Sequence, residues 1–297
     1  MSLRLPAALL FSLVALAACS GDDTPERDQP APSPIQSSGD PAAFLEPFDF
    51  LDEGAWYVSE EWKQTNGIFD IVWRREAIEQ IGGALRFTIS EDEFGDAGYA
   101  GASLQRTDRR THYGRYETVM TAARGPGLVS AFFTFIGPPQ GKQQDEIDFE
   151  ILGRDTTRVQ LNYFTLGKGG NEEMIDLGYD SDTTPNLYAF EWTPNGIRWY
   201  IGDVLVHEAG GPNEATPQQP GILISQVWAG SPATADWLGR PVSIEDPHME
   251  VHCVSYRPMG DTQSDQCSDA FDPINTATPS RRAASLGWWR ISPQHRK

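Results

Sequence analysis

Positive charge is scarce in this chain: 23 lysine and arginine residues stand against 42 aspartate and glutamate, giving a net charge of −19 over 297 residues. No basic cluster interrupts that acidity, which disfavours nucleic acid and anionic membrane as partners and makes an anionic polysaccharide a poor electrostatic match. A neutral ligand fits better. Histidine is sparse as well, with five scattered residues and no His-Glu-x-x-His zinc motif. A Gly-x-Ser-x-Gly elbow and a Gly-x-x-x-x-Gly-Lys phosphate loop are also missing. Gly167-Lys-Gly-Gly170 is followed by no helical pattern, so it reads as a flexible hairpin end instead of a phosphate cradle. There is no internal repeat and no heptad pattern.

Long apolar runs are missing too. The longest, Pro6 to Ala18 behind Arg4, is too short to span about 30 Å of hydrocarbon as a helix and reads as a signal peptide. It ends in Leu16-Ala-Ala-Cys19, which resembles a bacterial lipobox. The expectation is therefore an exported protein, either lipid-anchored through Cys19 at the cell envelope or secreted, and membrane-associated only through that lipid. Ser20 after the cysteine favours the outer membrane in a Gram-negative cell. Residues 19–43 are Asp, Pro, Ser, Gln and Gly with almost no large apolar side chain, too little to offset the entropy of ordering, and they read as a flexible tether. After residues 1–18 and the tether, residues 44–259 form one large domain and residues 260–297 a C-terminal extension without an assigned role. Trp288 and Trp289 in that extension suit either docking or sugar binding. Cys253 and Cys267 are candidates for a bridge in an oxidising compartment, where closing such a loop contributes about 3 kcal/mol. Two unpaired thiols satisfy the sequence equally well.

The domain alternates short apolar or aromatic runs with turn residues: Ala84–Ile89, Arg115–Met120, Leu128–Phe135, Arg158–Tyr163, Leu187–Trp192 and Ile197–Ile201. Many short strands at close spacing predict an all-β antiparallel sandwich or barrel. Only Ser231 to Leu238 has the look of a helical turn. Trp192 and Trp199 are expected in the core.

The most informative segment is Asp145-Glu-Ile-Asp-Phe-Glu-Ile-Leu152, in which Ile147, Phe149 and Ile151 alternate with Glu146, Asp148 and Glu150. A period of two places three carboxylates on one face of a strand and three apolar side chains on the other. Like charges in a row on a half-buried strand oppose folding, so packing alone does not select them. A retaining glycoside hydrolase uses such an array: it needs two carboxyl groups about 5–5.5 Å apart, one as nucleophile and one as proton donor. Glu146 and Glu150 would stand about 13 Å apart at their Cα atoms, so their side chains must lean together. Asp148 lies between them. A calcium site built on Asp145, Glu146, Asp148 and Glu150 is the competing reading, but calcium prefers loops that wrap around it to one face of a regular strand.

At these residues the chain resembles glycoside hydrolase family 16, in the uninterrupted Glu-x-Asp-x-Glu form of the lichenases and the plant xyloglucan endotransglycosylases. Val129–Pro138, Gly153–Gln160 and Ala189–Pro194 look most like bacterial lichenases. The resemblance implies a jelly-roll β-sandwich of two curved antiparallel sheets with a substrate cleft on the concave face. It also implies retaining endo-hydrolysis of a neutral β-glucan, mixed-linkage β-1,3-1,4-glucan first, by a monomer that requires no cofactor. Glu146 matches the nucleophile, Glu150 the acid/base and Asp148 the residue that modulates them.

Trp73, Arg106, Phe133, Asn162, Glu172 and Trp228 match cleft positions of that family. Phe135, Phe164 and Gln226 share faces with them by the same period of two. Gln144, Leu104 and Asp70 stand where lichenases carry Trp, Glu and Asn, so the catalytic reading is firmer than the linkage. A structural calcium occurs on the convex face of many members, but His252 takes the place of an expected Asp ligand. Thr165–Glu172 is similar to the xyloglucan enzymes, which makes xyloglucan hydrolysis or transglycosylation the enzymatic alternative. A non-catalytic glucan-binding surface lipoprotein is the alternative of another class.

Overall fold

The computed structural model describes residues 42–65, 67–107, 110–241 and 245–285. The signal segment, Cys19, most of the tether and Trp288 and Trp289 lie outside the described residues. In chain order the strands are β1 (Phe44–Glu46), β2 (Trp56–Val58), β3 (Lys63–Gln64), β4 (Ile71–Trp73), β5 (Ile78–Ile81), β6 (Ala84–Thr88), β7 (Ser90–Glu91), β8 (Tyr99–Arg106) and β9 (Gly114–Met120). They continue as β10 (Leu128–Ile136), β11 (Asp145–Leu152), β12 (Arg158–Phe164), β13 (Glu173–Asp176), β14 (Asn186–Thr193), β15 (Gly196–Ile201), β16 (Val204–Gly210), β17 (Ile222–Ala229) and β18 (His248–Pro258). A 3₁₀ turn at Pro232–Thr234 runs into the short helix α1 (Ala235–Leu238), where the sequence has its helical pattern.

Among the described residues the strands form two sheets. One is ordered β16-β15-β14-β9-β18-β6-β5 with β1 beside β18. The other is ordered β13-β12-β11-β10-β17-β8-β4-β3 with β2 and β7 beside β8. Pairing is antiparallel except for β4 against β8. The apolar half of the acidic segment drives the stacking. Ile147, Phe149 and Ile151 are all 0% exposed, and burying each stabilises the fold by about 1.5–3 kcal/mol. Phe149 sits 5.6 Å from the ring of Tyr188 on β14, and Tyr116 of β9 stacks on Phe190 at 4.5 Å. Trp192 and Trp199 are in this core as expected. The interior side of β11 is thus fixed by aromatic packing from the opposite sheet, and the carboxylate side must face outward.

The segment 260–285 lies against the outer face of the first sheet. Cys253 on β18 is joined to Cys267 by a disulfide with Cα atoms 5.9 Å apart. Cys267 and Phe271 cover Val119 and Leu187. Ser268 donates from its backbone N–H to the buried Glu117 at 2.9 Å. Asn186 holds Ile274 through both amide atoms, at 2.9 and 3.0 Å, and Ser280 donates from its N–H to the carbonyl of Val206. The helix α2 (Arg281–Ser285) then meets β16, where Arg282 bonds Glu214 and the Gly210 carbonyl. The extension is a strap crossing from β18 to the edge of the sheet. A bridge closing a loop of this size contributes about 3 kcal/mol, so Cys267→Ser is expected to lower Tm by about 6–12 °C. Differential scanning calorimetry on oxidised wild type and variant checks this, and equal Tm values would overturn it.

Candidate active site

The register of the second sheet assembles the site. Glu146 lies opposite Phe135 of β10 and Phe164 of β12, Asp148 opposite Phe133 and Asn162, and Glu150 opposite Ala131 and Gln160. One strand further, Phe133 meets Ile224, Ala131 meets Gln226 and Val129 meets Trp228 on β17. Directly paired residues share a face, so these side chains form one surface on the outside of the sandwich with the three carboxylates along its middle. Ala131 beside Glu150 leaves room that a larger side chain would fill.

Two aromatic rings flank Glu146. A Cβ at Gly137 would come within 2.6 Å of the Phe135 ring, and one at Gly169 within 2.4 Å of the Phe164 ring. Both rings therefore fold over glycine backbone, and any other residue at either position displaces its ring.

The electrostatics follow from crowding. Glu146 and Glu150 are half-buried and Asp148 is 4% exposed. Burial pushes the Glu146 carboxyl up to about 7, against hydrogen bonds from Gln144 and Asp148 that favour its charge. Burial, with the Glu146 charge next, pushes Glu150 up to about 8, and the amide of Gln160 offsets part of the rise at 2.9 Å. Asp148 is raised well above the usual carboxylate range by burial and then by both glutamates, so it holds its proton and donates it to Glu146. Glu172, exposed just before β13, adds negative potential to Asp148 and Glu150. Near neutral pH the row therefore holds an ionised Glu146 and a protonated Glu150, the distribution that a nucleophile and a proton donor require.

Asp145, the fourth acidic residue, faces the other way. It is 2% exposed and accepts the backbone N–H groups of Leu166, Gln218 and Gln219 at 2.8, 2.8 and 3.0 Å. It ties two loops to the start of β11, and its oxygens are spent. Among the described residues no group of three or more His, Cys, Asp or Glu is placed to hold a metal ion. His252 on β18 lies 3.7 Å from a carboxylate oxygen of Glu250. At the position where the resemblance implied an Asp ligand for calcium, His252 supplies no carboxylate oxygen.

Phe133, Phe135, Asn162, Phe164 and Gln226 come together on the carboxylate face, with Glu172 beside it. Trp228 closes one end, 2% exposed, its ring 4.5 Å from Phe69 and 6.1 Å from Trp237. Three residues expected in the cleft are elsewhere. Gln226 pairs with Ser103 and Ile224 with Gln105, so Ser103 and Gln105 share the cleft face while Leu104 and Arg106 alternate to the interior. Arg106 is 4% exposed, bonds Glu46 of β1 at 2.8 Å and lies 4.1 Å over the Phe44 ring. It is an inter-sheet residue, and the expectation that it binds substrate is corrected. Leu104 likewise belongs to the core and not to the cleft. Trp73 is 1% exposed and packed beside Trp62 at 6.3 Å. It is a core residue with no open face for a sugar, and the half-buried Trp62 is the more accessible of the two. Gln160, Trp237 and Phe69 are site residues that sequence reasoning passed over. The period of two running through Asn162 also selects Gln160, but no local signal marks the other two.

A family model described as "Glycosyl hydrolases family 16" matches residues 65–245. The endo-1,3-1,4-beta-glycanase ExoK of Rhizobium meliloti is 37% identical over 219 residues, covering 74% of this chain and 80% of that one. The beta-glucanase of Bacillus licheniformis is 35% identical over 217 residues, covering 72% and 85%. Among solved structures, a beta-1,3-1,4-glucanase (lichenase) derived from a mouse hindgut metagenome superposes with a TM-score of 0.68 at 35% identity, covering 73% of this chain and 99% of that chain.

Proposed function

The chain belongs to glycosyl hydrolase family 16, and from that premise we propose that it is a retaining endo-hydrolase of mixed-linkage β-1,3-1,4-glucan. The observation that carries the reading is the carboxylate row of β11, with its two glutamates four residues apart on one face and their protons unequally held. Glu146, kept ionised by the proton of Asp148 and the amide of Gln144, attacks the anomeric carbon from one side. Glu150 delivers its proton to the glycosidic oxygen as the bond breaks. The glutamyl ester that forms carries no charge, so the negative field on Glu150 weakens and its pKa falls. Glu150 then takes a proton from water, which hydrolyses the ester and returns the sugar with its original configuration. Phe135 and Phe164 offer apolar faces to sugar C–H groups, and Asn162 and Gln226 offer amides to hydroxyls. The chemistry needs no cofactor.

The relatives' names, the aromatic and amide side chains beside the carboxylate row and the uninterrupted motif support the substrate. Export and lipid attachment at Cys19 are part of the proposal and are supported by the apolar run and Leu16–Cys19. The division at residues 18, 43 and 259 belongs to it as well, although the strap makes residues 260–285 structurally continuous with the domain.

The test is to incubate the purified protein with barley mixed-linkage glucan, laminarin and xyloglucan, separate the products and follow the new reducing ends by proton NMR. Short oligosaccharides from mixed-linkage glucan alone, appearing first as the β-anomer, are expected. A preference for xyloglucan or laminarin would move the specificity. An α-anomer would overturn the retaining mechanism, and no product would leave glucan binding as the function.

A further inference from the structure

Gln160 and Trp237 come from distant parts of the chain and meet at Glu150. Gln160 is 6% exposed on β12, directly across from Glu150. Its amide nitrogen donates to a Glu150 oxygen at 2.9 Å, and its amide oxygen accepts the indole N–H of Trp237 at 3.0 Å. An amide in a closed site has two orientations, related by a flip that exchanges oxygen and nitrogen. An indole N–H donates and never accepts, so it bonds only the oxygen and fixes the flip that turns the NH₂ group toward the carboxyl group. Trp237 is itself held. The guanidinium of Arg154, in the turn after β11, donates to the carbonyls of Asp236 and Trp237 at 3.2 and 2.9 Å, and Gly127 donates to the carbonyl of Leu238 at 2.7 Å.

Resting on the reading of Glu150 as the acid/base, we propose that Trp237 and Gln160 are positioning residues: the indole locks the glutamine amide so that it always presents a donor to Glu150. The reason lies in the surroundings. Glu146 on its own strand and Glu172, just before β13, are the charged neighbours acting on Glu150, while Asp148 between the two glutamates keeps its proton. β10 and β17 present Ala131 and Gln226 there. The loop of α1 brings Asp236, and the turn after β11 brings Arg154, which is bonded to carbonyls. A carboxyl group in that field resists giving up its proton, yet it must do so in the first step and act as a base in the second. A fixed N–H donor stabilises the ionised form in both. An amide free to flip would instead turn its oxygen to the protonated form and oppose ionisation.

The test is the pH dependence of kcat/KM on barley mixed-linkage glucan for wild type, Trp237→Phe, Gln160→Met and the double variant, with Glu150→Gln alongside. Phenylalanine keeps an aromatic ring and removes only the donor. The alkaline limb is expected to move up by about half a pH unit in each single variant. The double variant is expected to move no further, because Trp237 acts through Gln160. A loss of activity equal at every pH, a limb that stays put, or shifts that add would overturn the relay. Should Trp237→Phe fail to fold, Arg154→Ala, which frees the loop, is expected to give the same shift. Glu150→Gln separates the two claims. If it retains an alkaline limb, the assignment of Glu150 fails and the relay with it. If it is inactive while Trp237→Phe keeps the wild-type limb, only the relay fails.

Discussion

Replacing Glu146 by Gln is expected to lower kcat/KM on β-glucan by about four to six orders of magnitude, the loss seen when a covalent nucleophile is removed from an otherwise intact site. The change is nearly isosteric and keeps the partners of residue 146, so KM should move little and the far-ultraviolet circular dichroism should be unchanged. A residual rate above about a hundredth of wild type would move the nucleophile to another carboxylate of the row. The same substitution should raise stability. Burial holds the Glu146 and Glu150 carboxyls at about 7 and about 8, against 4.5 in an unfolded chain. Between those limits the folded protein binds protons that the unfolded chain has released. Folding stability therefore falls as pH rises through that window and is lowest above pH 8. Glu146→Gln removes one of the titrating groups and a repulsive charge, so its Tm should exceed that of wild type most clearly above pH 8. Paired thermal melts at about pH 5 and pH 9 decide this, and equal differences at both would mean that the row is not strained by its charge.

The second large effect is on the pH–rate profile. Activity requires Glu146 ionised and Glu150 protonated, so kcat/KM should rise through about 7 and fall through about 8 in a narrow bell. The two groups interact, and the limbs belong to the pair. Asp148→Asn keeps a donor toward Glu146 but cannot carry charge, so the bell should keep its shape with a lower maximum. Asp148→Ala removes the donor, which should move the acid limb up and reduce kcat by about 10²-fold or more. A broad plateau from about pH 4 to about pH 9 in the wild type would overturn the placing of the two limbs at these values.

The fold and the centre of the site were legible because both rest on a period of two. The alternation at 145–152 states which side chains enter the core, and the aromatic strands at 128–135 and 187–192 state what they meet there. The same parity assembled Phe133, Phe135, Asn162, Phe164 and Gln226. Arg106 and Leu104 were misplaced because resemblance supplied their positions, whereas the pairing of β8 with β17 sets their face. Trp73 was misread because an aromatic residue on a short strand looks the same whether it is open or covered, and the neighbouring Trp62 decides. Trp237 was out of reach, because a bond between residues 160 and 237 depends on how a loop closes and leaves no trace in either segment. The pairing of Cys253 with Cys267 depended likewise on where the chain goes after β18.

Where the family model's match stops is not where the folding unit stops. The family model's match ends at residue 245, yet β18, residues 248–258, is an inner strand of the first sheet, hydrogen-bonded to β9 on one side and β6 on the other. A chain ended at 245 would split that sheet in two. One ended at 259 would keep the strand but bare Val119 and Leu187 beside an unpaired thiol at Cys253, an adhesive patch on what is otherwise the outer wall. Such a truncation should self-associate and cross-link on oxidation, and size-exclusion chromatography with and without reductant, beside a chain carried through residue 285, checks this.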